Sequence, residues 1–93
     1  MGFADKRFSK TPIPWRIIDG EMVLLDRHEG ELIRLNPVGA EIWKAMDGHR
    51  TVWEIIDSIQ ATFEVSREQA TRDVQRFVMQ LVRQELVEEA REE

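Results

Sequence analysis

Few side chains in this sequence could do chemistry, and their spacing does not predict a reactive site. The two histidines, His28 and His49, fall in a predicted turn and after a predicted helix end, so we expect solvated loop residues rather than metal ligands. The three serines fall in the N-terminal segment, on a helix surface and at a helix cap, whereas a hydrolytic triad needs a nucleophile, a base and an orienting acid in one cleft. No glycine-rich loop matches a phosphate cradle. We therefore predict a protein that is not an enzyme and that binds neither a metal nor a cofactor.

Length, composition and charge exclude several classes of protein. A chain of 93 residues makes one domain with a single modest core. It has no cysteine, which removes disulfides and thiolate chemistry and fits a reducing compartment. No apolar run approaches the roughly 20 residues of a membrane span, so we expect a cytoplasmic protein with no membrane partner. The net charge of -5 works against non-specific nucleic-acid binding, because phosphate contacts need a concentrated positive surface.

A predicted three-stranded antiparallel sheet positions the rest of the chain. The dipeptide Asp19-Gly20 follows a short apolar strand and predicts a two-residue turn that pairs Ile18 with Glu21. A polar loop at residues 27–30 then leads to a third strand, which makes the second strand central. Period-two alternation assigns one set of side chains to the face that helices can cover: Trp15, Ile17, Met22, Leu24, Ile33 and Leu35.

Three helices are predicted after the sheet. The first spans about residues 37–46 and begins with Asn36 as its cap and Pro37 at its first position. Thr51 and Ser66 show capping-box spacing and predict the starts of the second and third helices. Outside the domain at residues 15–87, we expect a flexible N-terminal arm at residues 1–14 and a frayed acidic tail at residues 88–93.

Residues 24–56 and 65–87 resemble the PqqD-like family of peptide-recognition domains, also called RiPP recognition elements. The resemblance depends on the order of these short motifs: Leu35-Asn36, Gly39-Ala40, Ile42-Trp43, Asp47-Gly48 with Thr51, and Asp73-Val74. It implies an α+β fold related to winged helix-turn-helix domains, with a three-stranded antiparallel sheet followed by three helices. The implied function is to bind the leader segment of a ribosomally synthesised precursor peptide for a modifying enzyme.

Two segments depart from the pattern of PqqD itself. They are residues 26–30, in the second turn, and residues 84–86, near the end of the last helix. The sequence therefore resembles the leader-binding proteins of lasso-peptide pathways at least as closely as those of pyrroloquinoline quinone (PQQ) biosynthesis. The modifying enzyme implied is accordingly a leader peptidase or a radical SAM enzyme of the same pathway.

The predicted third strand lies at a sheet edge and would offer unpaired backbone groups to a guest peptide, with Ile33 as one donor. About four or five hydrogen bonds give roughly 2 to 7 kcal/mol net, whereas association costs some 4 to 15 kcal/mol. Apolar side chains of the peptide must therefore also be buried, in a groove between this edge and the third helix. The predicted peptide-binding residues are Glu31, Leu32, Ile33, Arg34, Leu35, Asp73, Val74, Arg76, Phe77 and Leu81.

Two other functions stay open. Arg72, Arg76 and Arg83 share the polar side of the third helix, although Glu68, Asp73 and Glu85 dilute this charge. This side could be a solvated face, a contact surface for an acidic peptide or an enzyme partner, or the reading helix of a winged-helix DNA-binding regulator. The second sheet face carries Ile18, Val23, Leu25 and Leu32. This face could join two copies into a homodimer, or the N-terminal arm could cover it.

Overall fold

The computed structural model describes residues 2–90 and contains two three-stranded antiparallel sheets and three helices. A short 3-10 helix at Phe3–Asp5 precedes the first strand. The strands are β1 (Arg7–Lys10), β2 (Trp15–Ile18), β3 (Glu21–Asp26), β4 (Glu31–Leu35), β5 (Asp47–Thr51) and β6 (Val87–Ala90). The helices are α1 (Pro37–Ala45), α2 (Val52–Phe63) and α3 (Arg67–Arg83). The α+β class is confirmed, and within residues 2–90 no helix is both long and apolar enough to cross a membrane.

The predicted sheet forms in the order β2-β3-β4 and in the predicted register. Ile18 pairs with Glu21 across the first turn, and Asp26 pairs with Glu31 across the second. Asp19 and Gly20 have φ values of 52 and 82 degrees, the left-handed pair that a two-residue hairpin turn requires. Local turn chemistry therefore fixes the alignment of all three strands.

The second sheet corrects the predicted flexible arm and frayed tail. Strand β1 lies at its centre, between β5 and β6. The pairing of Arg7 with Ala90 and of Lys10 with Val87 joins the two ends of the chain, and Phe8 is only 5% exposed. Burial of this ring and a strand neighbour on each side hold residues 7–10 in place, and residues 88–90 belong to β6. The remaining residues of the predicted tail, 91–93, lie outside the described range.

The helices begin where their capping residues predict. Asn36 accepts from the backbone N–H of Gly39, Thr51 from that of Glu54 and Ser66 from that of Gln69. Each cap satisfies a backbone donor that the first helical turn leaves without an intrahelical partner. The three helix starts are therefore fixed by local side-chain contacts.

The helices cover only part of the predicted inner sheet face. Met22, Leu24 and Leu35 are at most 5% exposed, whereas Trp15 and Ile17 on β2 are 55% and 57% exposed. On the opposite face Leu32 is 64% exposed. The core therefore lies between the helices and the β3 and β4 side of the sheet, and β2 projects beyond it.

Candidate functional site

Among residues 2–90, no strand neighbours the outer flank of β4, because the sheet order places β3 on one side only. The register of the strands determines which backbone groups of β4 point outward on this flank. In a two-residue hairpin the pair beside the turn, here Ile18 and Glu21, is hydrogen-bonded, and bonded pairs alternate along the strands. The donation from Leu25 N to Pro14 O over 3.0 Å fits this alternation.

The same alternation determines which way the backbone N–H and C=O groups of β4 point. Glu21 and Leu25 direct their backbone groups toward β2, so Met22 and Leu24 direct theirs toward β4, where Leu24 pairs with Ile33. The N–H and C=O groups of Leu32 and Arg34 therefore point away from the sheet. The prediction that Ile33 is an edge donor was wrong, because its backbone groups bond inward to β3 and only its side chain is available to a guest.

A groove of about 340 Å³ lies between β4 and α3. The end of β4, the first two turns of α1 and one face of α3 form its walls. Its lining is mixed, with apolar and polar residues in similar measure. The lining residues are Ile33, Arg34, Leu35, Asn36, Val38, Gly39, Ile42, Asp73, Arg76, Phe77 and Gln80.

Gly39 keeps one corner of the groove open. A Cβ atom at this position would lie 3.3 Å from Asn36 Oδ1 and 3.6 Å from Phe77 Cζ. The backbone N–H of Gly39 donates to Asn36 Oδ1 over 2.7 Å. This corner therefore brings the end of β4, the start of α1 and the ring from α3 together, and even a methyl group at position 39 would require Asn36 to shift.

The structure brings together six of the ten predicted site residues. Ile33, Arg34, Leu35, Asp73, Arg76 and Phe77 line the groove. Val74 and Leu81 are fully buried in the core behind it. Glu31 and Leu32 are exposed at the start of β4 and do not line it, although Leu32 directs its backbone groups to the open edge.

Five lining residues were not predicted as part of the site: Asn36, Val38, Gly39, Ile42 and Gln80. A sequence signal for most of them existed. Helix α1 begins almost directly after β4, so its first turns must flank the end of that strand. Gln80 lies three residues after Phe77, on the same side of α3, and could have been included by helical periodicity.

The charged lining residues differ in their partners. Arg34 Nη1 lies 3.2 Å from Glu21 Oε1, and Asp73 Oδ1 accepts from Gln69 Nε2 over 2.8 Å. Arg76 has neither a hydrogen bond nor an ion pair with any residue in the described range 2–90. Within that range no group of histidine, cysteine, aspartate and glutamate side chains could hold a metal ion.

Comparison with known proteins identifies the family. Residues 21–87 match the family model described as coenzyme PQQ synthesis protein D, PqqD. A solved structure described as TbiB1 in complex with the TbiA(beta) leader peptide is 32% identical in sequence and aligns with a TM-score of 0.73. The alignment covers 86% of this chain and 94% of that one. No curated protein matches. With the family model spanning more than half of the sequence, the chain belongs to the PqqD family.

Proposed function

We propose that this protein binds the leader segment of a ribosomally synthesised precursor peptide as an added strand along β4. The observation that carries the proposal is the vacant flank of β4 beside a groove with a mixed apolar and polar lining. The solved relative TbiB1, described in complex with a leader peptide, supports it. The bound leader would then be presented to a modifying enzyme of the same pathway, either a leader peptidase or a radical SAM enzyme.

Magnitudes explain why both the edge and the groove are needed. Leu32 and Arg34 together offer four backbone groups, which contribute about 2 to 6 kcal/mol net when paired. Association alone costs about 4 to 15 kcal/mol. Each apolar side chain buried in the groove adds about 1.5 to 3 kcal/mol, so side-chain burial must add to backbone pairing before binding becomes favourable.

The chemistry of the groove supports a binding role rather than catalysis. Its ionisable lining residues are Arg34, Asp73 and Arg76. None of these pairs a nucleophile with a general base in the manner of a hydrolytic site. We therefore propose a non-catalytic peptide carrier. Its cytoplasmic location and a homodimer through the second sheet face, where Leu32 is exposed and Val23 is buried, stay predictions.

A proline scan of the two sheet edges tests the proposal. Random peptides displayed on their encoding RNA are selected for binding to the wild-type protein. The peptides that bind most tightly are then titrated by calorimetry. Arg34→Pro removes an outward N–H from the proposed binding edge without removing a backbone hydrogen bond to β3. We expect it to weaken binding by about tenfold or more, equivalent to about 1.4 kcal/mol.

Two variants serve as controls. Arg34→Ala removes the same side chain but keeps the N–H, and should weaken binding less. Ile17→Pro removes an outward N–H from the opposite edge of the sheet, on β2, and should leave affinity unchanged. Equal affinity for wild-type and Arg34→Pro, or equal losses at both edges, would refute strand addition along β4.

A further inference from the structure

Among residues 2–90, Arg76 is the charged residue of the groove that has neither a hydrogen bond nor an ion pair. It lies on the wall that α3 contributes, next to Phe77, and its side chain is exposed. The other arginine of the lining, Arg34, pairs with Glu21, and Asp73 accepts from Gln69. A guest peptide in the groove therefore meets one cation that is not already engaged.

The guanidinium group has a marked preference among peptide side chains. Its planar fork of N–H donors matches a carboxylate, and charge-assisted hydrogen bonds of this kind are about twice as strong as neutral ones. The groove carries two arginines and one aspartate, whereas the whole chain has a net charge of -5. The Arg34 side chain is paired with Glu21 on the other face of the sheet, so Arg76 is the cation that a guest in the groove can meet, and an unpaired guanidinium favours an acidic partner over a basic one.

The position of the apolar lining constrains the spacing in the guest. Alternate side chains of an added strand point to opposite faces of the sheet. Ile33 faces the helices, as its pairing with the buried Leu24 shows, and Phe77 and Arg76 come from the helix on that same side. Guest side chains that meet this apolar wall and Arg76 must therefore share a face, and neighbouring side chains on one face are two positions apart.

We propose that Arg76 selects guest peptides that carry an aspartate or glutamate two positions from a large apolar residue. The apolar side chain packs against Ile33 and Phe77, and the carboxylate accepts from the guanidinium group. This proposal rests on the proposed function, because it describes the side chains of a peptide already held along β4. It adds which chemical class of peptide the groove prefers.

A charge reversal provides the test. The displayed random peptides are selected separately against wild-type protein, Arg76→Glu and Arg83→Glu. Arg83 lies on the same helix, is also exposed and does not line the groove, so the control changes the net charge equally. We expect wild-type and Arg83→Glu to enrich acidic residues two positions from an apolar one, and Arg76→Glu to enrich lysine or arginine there.

Affinities of individual peptides sharpen the result. Changing the selected acid to its amide should weaken binding to the wild-type protein by about fivefold or more, on the scale of one charge-assisted hydrogen bond. The same change should have no effect with Arg76→Gln, which removes the cation without introducing a repelling charge. Thermal melting of each variant confirms that the fold is kept, and Arg76→Gln alone suffices if Arg76→Glu fails to fold.

The experiments distinguish a failure of the proposed role of Arg76 from a failure of the proposed function. Peptides that bind through the β4 edge, as judged by Arg34→Pro, but show no acidic preference would overturn the role of Arg76 and leave the proposed function intact. Equal shifts in Arg76→Glu and Arg83→Glu would also overturn it, since net charge alone would then explain both. Selection of no peptide at all, or duplex DNA that displaces the selected peptides, would count against the proposed function itself.

Discussion

The side-chain oxygen of Asn36 accepts a hydrogen bond from the backbone N–H of Gly39 over 2.7 Å, and this contact joins the end of β4 to the first turn of α1. Both residues line the groove. The same interaction therefore caps the helix and shapes the binding site, which allows its two roles to be separated by substitution.

Replacing Asn36 with alanine should reduce both stability and peptide affinity. Loss of an N-cap costs about 0.5 to 2 kcal/mol of unfolding free energy, and the freed first turn of α1 should widen the corner beside Leu35. Ser66→Ala is the matched control, because it removes the cap of α3 at Gln69 and Ser66 does not line the groove. Chemical denaturation and calorimetry should show a stability loss in both variants and an affinity loss in Asn36→Ala only. If Asn36→Ala binds peptides as tightly as Ser66→Ala does, the cap of α1 does not contribute to the binding site.

Replacing Gly39 with alanine should weaken peptide binding with little change in stability. Alanine improves helix propensity by up to about 1 kcal/mol, but its Cβ would lie 3.3 Å from Asn36 Oδ1, which must shift. These effects oppose each other in stability, whereas the added methyl group only reduces the space beside Phe77. We expect a several-fold loss of affinity by calorimetry, and unchanged affinity would show that the guest does not reach this corner.

Replacing Phe8 with alanine tests whether the N-terminal strand belongs to the fold. Phe8 is 5% exposed within the core, and its ring centroid lies 5.8 Å from that of Phe3. Truncating a buried phenylalanine costs about 3 to 5 kcal/mol of unfolding free energy, while Phe3→Ala should cost less because Phe3 is only partly buried. Urea denaturation measures both. A flexible arm predicts no loss in either variant, and that result would contradict the second sheet.

Asp26 should couple energetically to Gln84. The carboxylate is fully buried, accepts from the backbone N–H of His28 over 2.9 Å and lies 3.5 Å from Gln84 Nε2, at the end of α3. Asp26→Ala leaves partly buried donors without their acceptor and should cost about 1 kcal/mol or more. A double-mutant cycle with Gln84→Ala should give a coupling of about 0.5 kcal/mol or more. Additive losses would mean that the hairpin end and α3 are held together by packing alone.

The central sheet could be predicted from the sequence because its determinants are local. Asp19-Gly20 sets the first turn, and the polar loop that ends at Gly30, where φ is 68 degrees, sets the second. Side-chain alternation then follows from the register. The same register also determines the directions of the backbone N–H and C=O groups. In β4 these groups point outward at Leu32 and Arg34 and inward at Ile33.

The second sheet could not be predicted in the same way, because its pairings connect distant parts of the chain. Arg7 pairs with both Thr51 and Ala90, and β6 has the sequence VEEA, whose charged residues show little apolar alternation. The groove is similar in this respect. Its position beside β4 was predicted, and the short link from β4 to α1 indicates that α1 flanks it. Which side chains of α1 reach the groove depends on how that helix packs against Phe77, which no local pattern encodes.

Acid should reduce stability partly through Asp47. The backbone N–H groups of Arg50 and His49 each donate to Asp47 Oδ1 over 2.9 Å and lower the pKa of this carboxyl below its ordinary value of 3.8. Because the pKa is lower in the folded state than in the unfolded state, the ionised form contributes stability above the unfolded value, and this contribution is lost as the pH falls through the folded value. Asp47→Asn keeps an acceptor for both amides but cannot titrate. Denaturant unfolding at neutral pH and at acidic pH should therefore show a smaller acid loss in Asp47→Asn than in the wild-type protein, and identical losses would show that this carboxylate does not contribute to the acid sensitivity.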